Sequence, residues 1–526
     1  MYKKATKLLA LFIAVLMLLT ACSKGSSSTS SSSKDTGNTS SSSSSSGDTS
    51  KDASTTENVT LKMYYVSTGD FPDVDEVIEE MNRISGEAIG ITVDAEGIST
   101  SNYSQQIRLM LAGREEIDIF NTSTLPFGDF GNQVANNQLM VLNDLLDQYG
   151  QDIKNILGNY IKAGTVSGKI LALPTYRDEA KDAGIIIRTD LVEKYNLDVG
   201  SVKKLEDLEP LLQTIKDNEP DIAPFYPSQE TYGGIETALL VPGGDTLGSD
   251  QYWTGVLLDA TDKSMKVVNY YETEQYMELV RLMRSWYEKG LIMQNAATNQ
   301  ETPTDLVKAG KLAAQIYHMK PGIESQGDRA CGMPMTYIRI NQPVASSATP
   351  SAFMLSVAAH SQKGEAAVKY LNFIYTNKEI NDVFNWGIQG KHWVLKDDGS
   401  ITFPEGVDAS TSGYYGQAGF VFGNQTLTYV WEGTPLDLWE QMDKYNKSAI
   451  QSVALGFQFD TNPIKTQYAA CSNVEKEYVK AIGVGAVDPE VKVPEMLAKF
   501  KEAGVDEVIA EKQRQLDEWA KANGIK

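Results

Sequence analysis

The chain has 526 residues, with 47 Lys and Arg against 69 Asp and Glu, a formal net charge of −22, and only three histidines and three cysteines. A field of that sign argues against nucleic acid and against strongly anionic ligands as partners. Three scattered histidines (His318, His360, His392) without ligand spacing argue against a histidine metal centre.

The N-terminus reads as an export signal. Lys3, Lys4 and Lys7 precede an apolar run from Leu8 to Leu19, too short for the ~20 residues of a spanning helix. The run ends in Leu19-Thr20-Ala21-Cys22, which resembles a bacterial lipobox. The resemblance implies a signal peptide over 1–21 and a lipid on Cys22, and loss of the three lysines takes the mature chain to −25. Residues 23–57 hold 17 serines in 35 positions, a composition that forms no core. They read as a tether spanning about 30 Å. The folded body starts near Val59, outside the membrane, and is long enough for two or more lobes. In that exported body Cys331 and Cys471 either pair or stay as separate buried thiols; spacing leaves both open.

Alternation predicts a strand from Val59 to Tyr65. After Ser67-Thr68-Gly69-Asp70, Asp73 with Glu76 reads as a capping box. Val74, Val77, Ile78, Met81 and Ile84 form the apolar stripe of the helix it starts. Strands at 91–93 and 117–120 with a helix at 107–112 complete a β-loop-α-β-α-β opening. That pattern belongs to an open α/β sheet, which favours ligands at the carboxyl ends of its strands. Strands at 170–173 and 185–187 flank Thr175-Tyr176-Arg177, a crossing between lobes. Helices are predicted at 203–216 and 272–289, and strands at 313–317 and 353–357. Ala367, Leu371 and Ile374 mark a helix. Thr376 to Glu379 then reads as a capping box for the next one, which ends at Trp386 with Gly387 in the left-handed C-terminal position. Asp397-Asp398-Gly399 is a hairpin turn before Ile401 to Phe403, and the chain closes with helices at 494–501 and 506–522.

No P-loop, HExxH, GxSxG or CxxC is present, and an acidic pair drawn from 69 carboxylates is uninformative. The remaining signal is aromatic residues outside helical stripes: Tyr176, Tyr226, Tyr232, Tyr252, Trp253, Trp386, Tyr414, Tyr415 and Trp431. Aromatic faces beside polar groups suit sugar rings. Each is also explained by packing, and for Trp386 ring stacking and corner packing compete. His392 reads as a packed or hydrogen-bonded residue of the second lobe.

Several motifs are more specific: NWGIQGKHWVLKDDGSITFPEGV at 385–407, FGNQTLTYVWEG at 422–433, ALGFQFD at 454–460 and VEKEYVKAIGVGAVDP at 474–489. With the lipobox and the tether, they resemble the extracellular solute-binding lipoproteins of ABC importers, in the LipO-like subgroup with its own C-terminal domain. The chain departs from the subgroup's usual form at Gln389, where Glu is usual, and at Trp386 and Trp393, where Tyr is common. The resemblance implies a type II periplasmic-binding-protein fold: two α/β lobes, a hinge and a ligand cleft. It implies a sugar or oligosaccharide ligand, an ABC permease as partner, a lipid anchor in the membrane, a monomer, no cofactor and no nucleic acid. On the residues alone, a surface-anchored glycan-active enzyme and a non-transport sensor or adhesin stay open.

On that fold, 59–173 is expected to be the first lobe, with about 300–350 returning to it. Residues 174–300 are expected to be the second, with about 351–470 returning, and 471–526 a helical segment packed on the lobes. The strand-end rule then nominates Ser67, Thr68, Asn121, Thr122 and His318 from the first lobe and Tyr176 and Arg177 from the crossing. It nominates Tyr232, Trp386 and Trp431 from the second lobe.

Overall fold

A computed structural model describes residues 59–125, 127–229, 233–234, 243–248 and 254–525. Cys22 with the leader and tether, and the predicted aromatics Tyr232, Tyr252 and Trp253, lie outside those residues. Two sheets organise the body. Their strands are β1 (Val59–Ser67), β2 (Ile91–Ser99), β3 (Ile119–Thr122), β4 (Leu173–Pro174), β5 (Ala183–Arg188), β6 (Ala223–Tyr226), β7 (Leu312–His318), β8 (Met335–Arg339) and β9 (Met354–Val357). The first sheet has the order β2-β1-β3-β9-β4, and the second β8-β5-β7-β6.

The first three strands are parallel, as the β-loop-α-β-α-β opening predicts, and β9 closes antiparallel on β3 and β4. Helices α1 (Val74–Ile89) and α2 (Thr100–Gly113) are the crossovers, burying Val77, Met81 and Ile84 from one and Tyr103, Ile107 and Leu111 from the other. In the second sheet β5 runs antiparallel to both β7 and β8, while β6 is parallel to β7. Its core is Ile185, Ile186, Ile187, Phe225, Ala314 and Ile316, with Trp286 from α3 (Glu274–Glu288).

The pairing corrects the expected lobe returns. Residues 312–318 and 335–339, expected in the first lobe, are β7 and β8 of the second sheet. Residues 354–357, expected with the second lobe, are β9 of the first sheet. Helices α4 (Gly364–Thr376) and α5 (Lys378–Trp386) follow β9 and pack in the first core through Ala367, Leu371, Ile374, Ile380 and Phe384. Chain order alone cannot show this, because an apolar strand fits either sheet until its partner is chosen. β6 and β8 were not anticipated, as their residues lack clean alternation.

The chain crosses between sheets at 175–182 and returns at 340–353. Helix α6 (Leu438–Ser448) leads into Ile450–Gln451, which pairs in parallel with Val344–Ala345 on the return crossing. The C-terminal segment is three helices, α7 (Lys465–Gly483), α8 (Pro489–Ala503) and α9 (Val505–Ala522), longer than the two predicted. They pack on second-lobe residues: Cys471, Ile482, Met496, Phe500 and Val508 share a core with Tyr270, Tyr276 and Val280. Cys331 and Cys471 form no disulfide with each other and are buried in different cores. No described helix is long and apolar enough to cross a membrane.

Candidate functional site

The carboxyl ends of β1 and β3 do not stand open. Asn121 is fully buried; its Oδ1 accepts from Val66 N at 3.0 Å and its Nδ2 donates to Val421 O at 2.8 Å. Thr122 is fully buried too, and its hydroxyl donates to Gln133 Oε1 at 2.5 Å. Both were nominated as ligand contacts; both are latches inside the lobe, because at these positions the last strand residues face protein. Ser67 and Thr68 lie nearer solvent. Ser67 Oγ donates to Gly69 O at 2.7 Å, while Thr68 Oγ1 donates to Gly416 O at 2.9 Å and accepts from Ala418 N at 3.1 Å.

These bonds identify a strap. Residues 413–423 lie across the carboxyl edge of the first sheet, tied to β1 by Thr68 and by Gln417 Nε2 to Val66 O at 3.2 Å. Asn121 ties it to β3, and Thr175, whose Oγ1 donates to Phe420 O at 2.7 Å, ties it to the crossing. At one end Tyr415, 40% exposed, meets Phe403 (centroids 5.0 Å apart) and Trp431 (5.4 Å). Trp431 also meets Phe403 at 4.7 Å and Trp386 at 5.6 Å. At the other end Phe420 packs on Phe353 at 4.6 Å, and Phe353 stacks on Phe127 at 5.3 Å. All three phenyl rings are half-buried. Two groups of partly exposed rings are thus joined by one irregular segment, with a 3-10 turn at Gly419–Val421, along a sheet edge. Trp431 was nominated; Tyr415 was noted only as a loop aromatic, and Phe127, Phe353, Phe403 and Phe420 were missed, because only the strap brings them together.

The crossing supplies the charge. Tyr176 and Arg177 are buried. Tyr176 OH donates to Asp443 Oδ1 at 3.3 Å. The Arg177 guanidinium sits 5.2 Å from the Phe353 ring, with Nη1 on Asp178 Oδ1 at 2.6 Å and Nη2 on Thr349 O at 3.1 Å. Arg177 is thus ion-paired with its neighbour Asp178. Asp178 also takes Lys320 at 3.0 Å and His318 at 3.9 Å. Burial opposes the Asp178 charge, but Lys320, Arg177 and His318 hold its carboxyl well below the usual range. Burial lowers the His318 pKa and favours the neutral ring at pH 7. His318 ends β7 and so reaches this cluster from the second lobe, not the first as expected. Glu179 is fully buried, and burial pushes its pKa up to about 8 despite Arg177.

Trp386 belongs to the first lobe, not the second, since α5 packs in the first core. Its Nε1 donates to Tyr429 O at 3.1 Å. The cap of α5 is Asn377, whose Oδ1 accepts from Ile380 N at 2.9 Å; Thr376 instead bonds back to Asn372 O. At Gly387 φ is 78° and ψ −155°, a region open to glycine rather than the expected left-handed helical pair. A Cβ there would meet His392 Nδ1 at 2.4 Å. His392 is buried in the first lobe, again against the expectation of the second. Its Nδ1 accepts from Ile388 N at 2.8 Å, so Nε2 carries the proton and donates to Asp73 Oδ2 at 3.1 Å. Asp73 spends its carboxylate on His392 and on Lys391 at 2.9 Å rather than on a capping box. Lys391 and His392 hold the Asp73 pKa low. The Asp397 loop is a plain turn: Asp398 Oδ1 accepts from Ser400 N at 3.0 Å. Among the described residues no group of three His, Cys, Asp or Glu is placed to hold a metal.

Residues 74–380 match the family described as bacterial extracellular solute-binding protein, and residues 453–521 match a domain of unknown function, DUF3502. A carbohydrate ABC transporter substrate-binding protein of Streptococcus pneumoniae serotype 4 is 28% identical over 485 residues, covering 90% of this chain and 93% of that protein. The lipoprotein LipO of Bacillus subtilis is 23% identical over 274 residues, 48% of this chain and 52% of its own length. A crystal structure of the N-glycan transport solute-binding protein NgtS of Streptococcus pneumoniae superposes with TM-score 0.75 at 25% identity, over 88% of this chain and 99% of that one. The same protein in complex with Man5GlcNAc gives TM-score 0.60.

Proposed function

The chain belongs to the family of bacterial extracellular solute-binding proteins, and on that premise we propose that it is the lipid-anchored, outward-facing receptor of an ABC importer. It captures a sugar or oligosaccharide between its lobes and hands it to the permease. The observation that carries the carbohydrate reading is the strap with its two groups of partly exposed rings, Tyr415 with Trp431 and Phe420 with Phe353. Ring faces pack against the C–H faces of pyranoses, and spaced groups of rings suit a ligand of several sugars. In this reading Trp431 and Tyr415 stack one sugar, Phe353 and Phe420 another, and Ser67, Thr68 and His318 stand where hydroxyls need partners. Tyr176 and Arg177 shape the floor from beneath. Cys22, in its lipobox, carries the anchor, and the receptor works as a monomer.

The crossing carboxylates argue for capture rather than turnover. Asp178 is committed to Arg177 and Lys320, and Glu179 is enclosed, so neither is offered as an acid-base pair flanking a substrate.

A thermal-shift series of the full chain against mannose–N-acetylglucosamine oligosaccharides, other glycans, peptides and polyamines tests the reading. A cognate glycan at 100 times its Kd should add about 2.7 kcal/mol of stability and be recovered intact. Stabilisation by a cationic peptide with none by any glycan would overturn the ligand class. Cleaved glycan would overturn the receptor role.

A further inference from the structure

The helices of the DUF3502 region contribute no ring to the strap, yet α9 places an ammonium in the protein interior. Lys512 is 1% exposed, and its Nζ donates to Gly255 O at 2.8 Å and Thr246 O at 3.2 Å. Gly255 has φ +125°, and a Cβ there would meet Lys512 Cδ at 3.0 Å. The next residue, Gln513, accepts from Val267 N at 2.8 Å and donates to Met265 O at 3.0 Å. A single turn of the last helix thus grips the backbone at four points, Thr246, Gly255, Met265 and Val267. Burying an ammonium among carbonyls is costly when an apolar residue would serve packing alone, and burial pushes its pKa down to about 8.

The grip continues toward the candidate site. Asp245, also buried, accepts from Leu247 N at 2.7 Å, Ser347 Oγ at 2.7 Å and Ser347 N at 2.9 Å. Ser347 is on the 340–353 crossing, and its carbonyl accepts from Ser351 Oγ at 3.1 Å. Ser351 in turn bonds the loop after β3: Thr124 N donates to Ser351 O at 3.1 Å, and the two hydroxyls are 2.9 Å apart. Thr349, between them, accepts Arg177 at 3.1 Å, and Phe353 is one of the strap-side rings.

We propose that the C-terminal segment is a positioning element of the glycan site, acting through Lys512 and Asp245 to hold the 340–353 crossing in the register that presents Phe353, with Ser351 as a buried tie to the loop after β3. Neither residue touches ligand. The functional half of the proposal rests on the glycan-receptor reading; the mechanical half does not.

The test compares the full chain with Lys512→Met, Lys512→Arg and Asp245→Asn, the last turning one acceptor into a donor facing the Ser347 N–H. Two measurements are made: amide hydrogen exchange without ligand, and calorimetric affinity for Man5GlcNAc. Lys512→Met and Asp245→Asn should speed exchange at 344–353 about tenfold or more and weaken Man5GlcNAc at least about fivefold. Helical circular dichroism should be retained, and Lys512→Arg should recover part of both losses. Unchanged exchange at 344–353 in folded variants overturns the proposal, as does affinity within about twofold of wild type despite faster exchange. If Lys512→Met does not fold, Asp245→Asn decides the same two readouts. If the wild-type chain binds no glycan in the panel, the receptor reading fails by that result, and the exchange measurement still decides whether the crossing is held from α9.

Discussion

Trp431 and Trp386 share a contact at 5.6 Å but do different work. Trp431 stands between Phe403 and exposed Tyr415, whereas Trp386 spends its N–H on Tyr429 O and ends a core helix. Replacing Trp431 by Ala should weaken glycan binding about tenfold, ~1.4 kcal/mol, with little change in melting temperature. Replacing Trp386 by Ala should instead cost about 2 kcal/mol of stability. Calorimetry and thermal melts on the pair separate the roles, and the reverse pattern would move the sugar surface to Trp386. His392 shows why one residue type misleads when read alone. Its rarity invited a chemical role, but its two nitrogens are used up on Ile388 N and Asp73, and that use is visible only once α1 and the 387–392 turn are side by side.

The first crossing carries a stability prediction. Glu179 has a folded pKa of about 8 and Asp182 of about 6, both raised by burial. A carboxyl whose folded pKa exceeds its unfolded value binds its proton more tightly in the native state. The stability this supplies is complete below the unfolded pKa, near 4.3, and is lost as pH rises through the folded pKa. Wild-type melting temperature should therefore fall between about pH 5 and pH 9 through these groups. Glu179→Gln should flatten much of that fall and be the more stable protein at pH 9. A slope unchanged by Glu179→Gln would show that Glu179 is ionised in its site. Asp178, four residues before Asp182 and held low by Lys320 and Arg177, acts with the opposite sign, stabilising above the unfolded pKa. Local pattern revealed the crossing itself, Thr175 to Arg177, but not these shifts, which depend on burial of Glu179 and Asp182 in the folded chain and on Lys320 reaching Asp178 from a distant segment.

For the molecule as a whole, the leader and the folded body make separate claims. If Cys22 carries the anchor, Cys22→Ala should shift the protein from the membrane pellet to the culture medium, with the glycan affinity of the released protein unchanged. Protein that remains in the pellet would remove the lipid from the account. Two sheets are joined at 175–182 and 340–353, with a strap across the edge of one and a charged cluster at the crossing.

The periodic elements were legible from residue order: the parallel β1-α1-β2-α2-β3 opening, β5, β7, β9 and the final amphipathic helix all follow from local apolar spacing, which requires only neighbours in the chain. The lobe each strand joins was not legible. β7 and β9 were read into each other's sheets, because backbone hydrogen bonding is blind to sequence and a buried strand satisfies either partner. Site chemistry followed the same division. Loop aromatics could be read directly as candidates for sugar stacking, while the receptor reading came with the family resemblance. Asn121 and Thr122 proved to be interior latches, and the two ring groups, Phe353 with Phe420 and Tyr415 with Trp431, are brought to one sheet edge only by a strap some 300 residues downstream of the strands it covers. Contacts between segments so far apart are chosen by packing and by the satisfaction of buried polar groups, which no local pattern records.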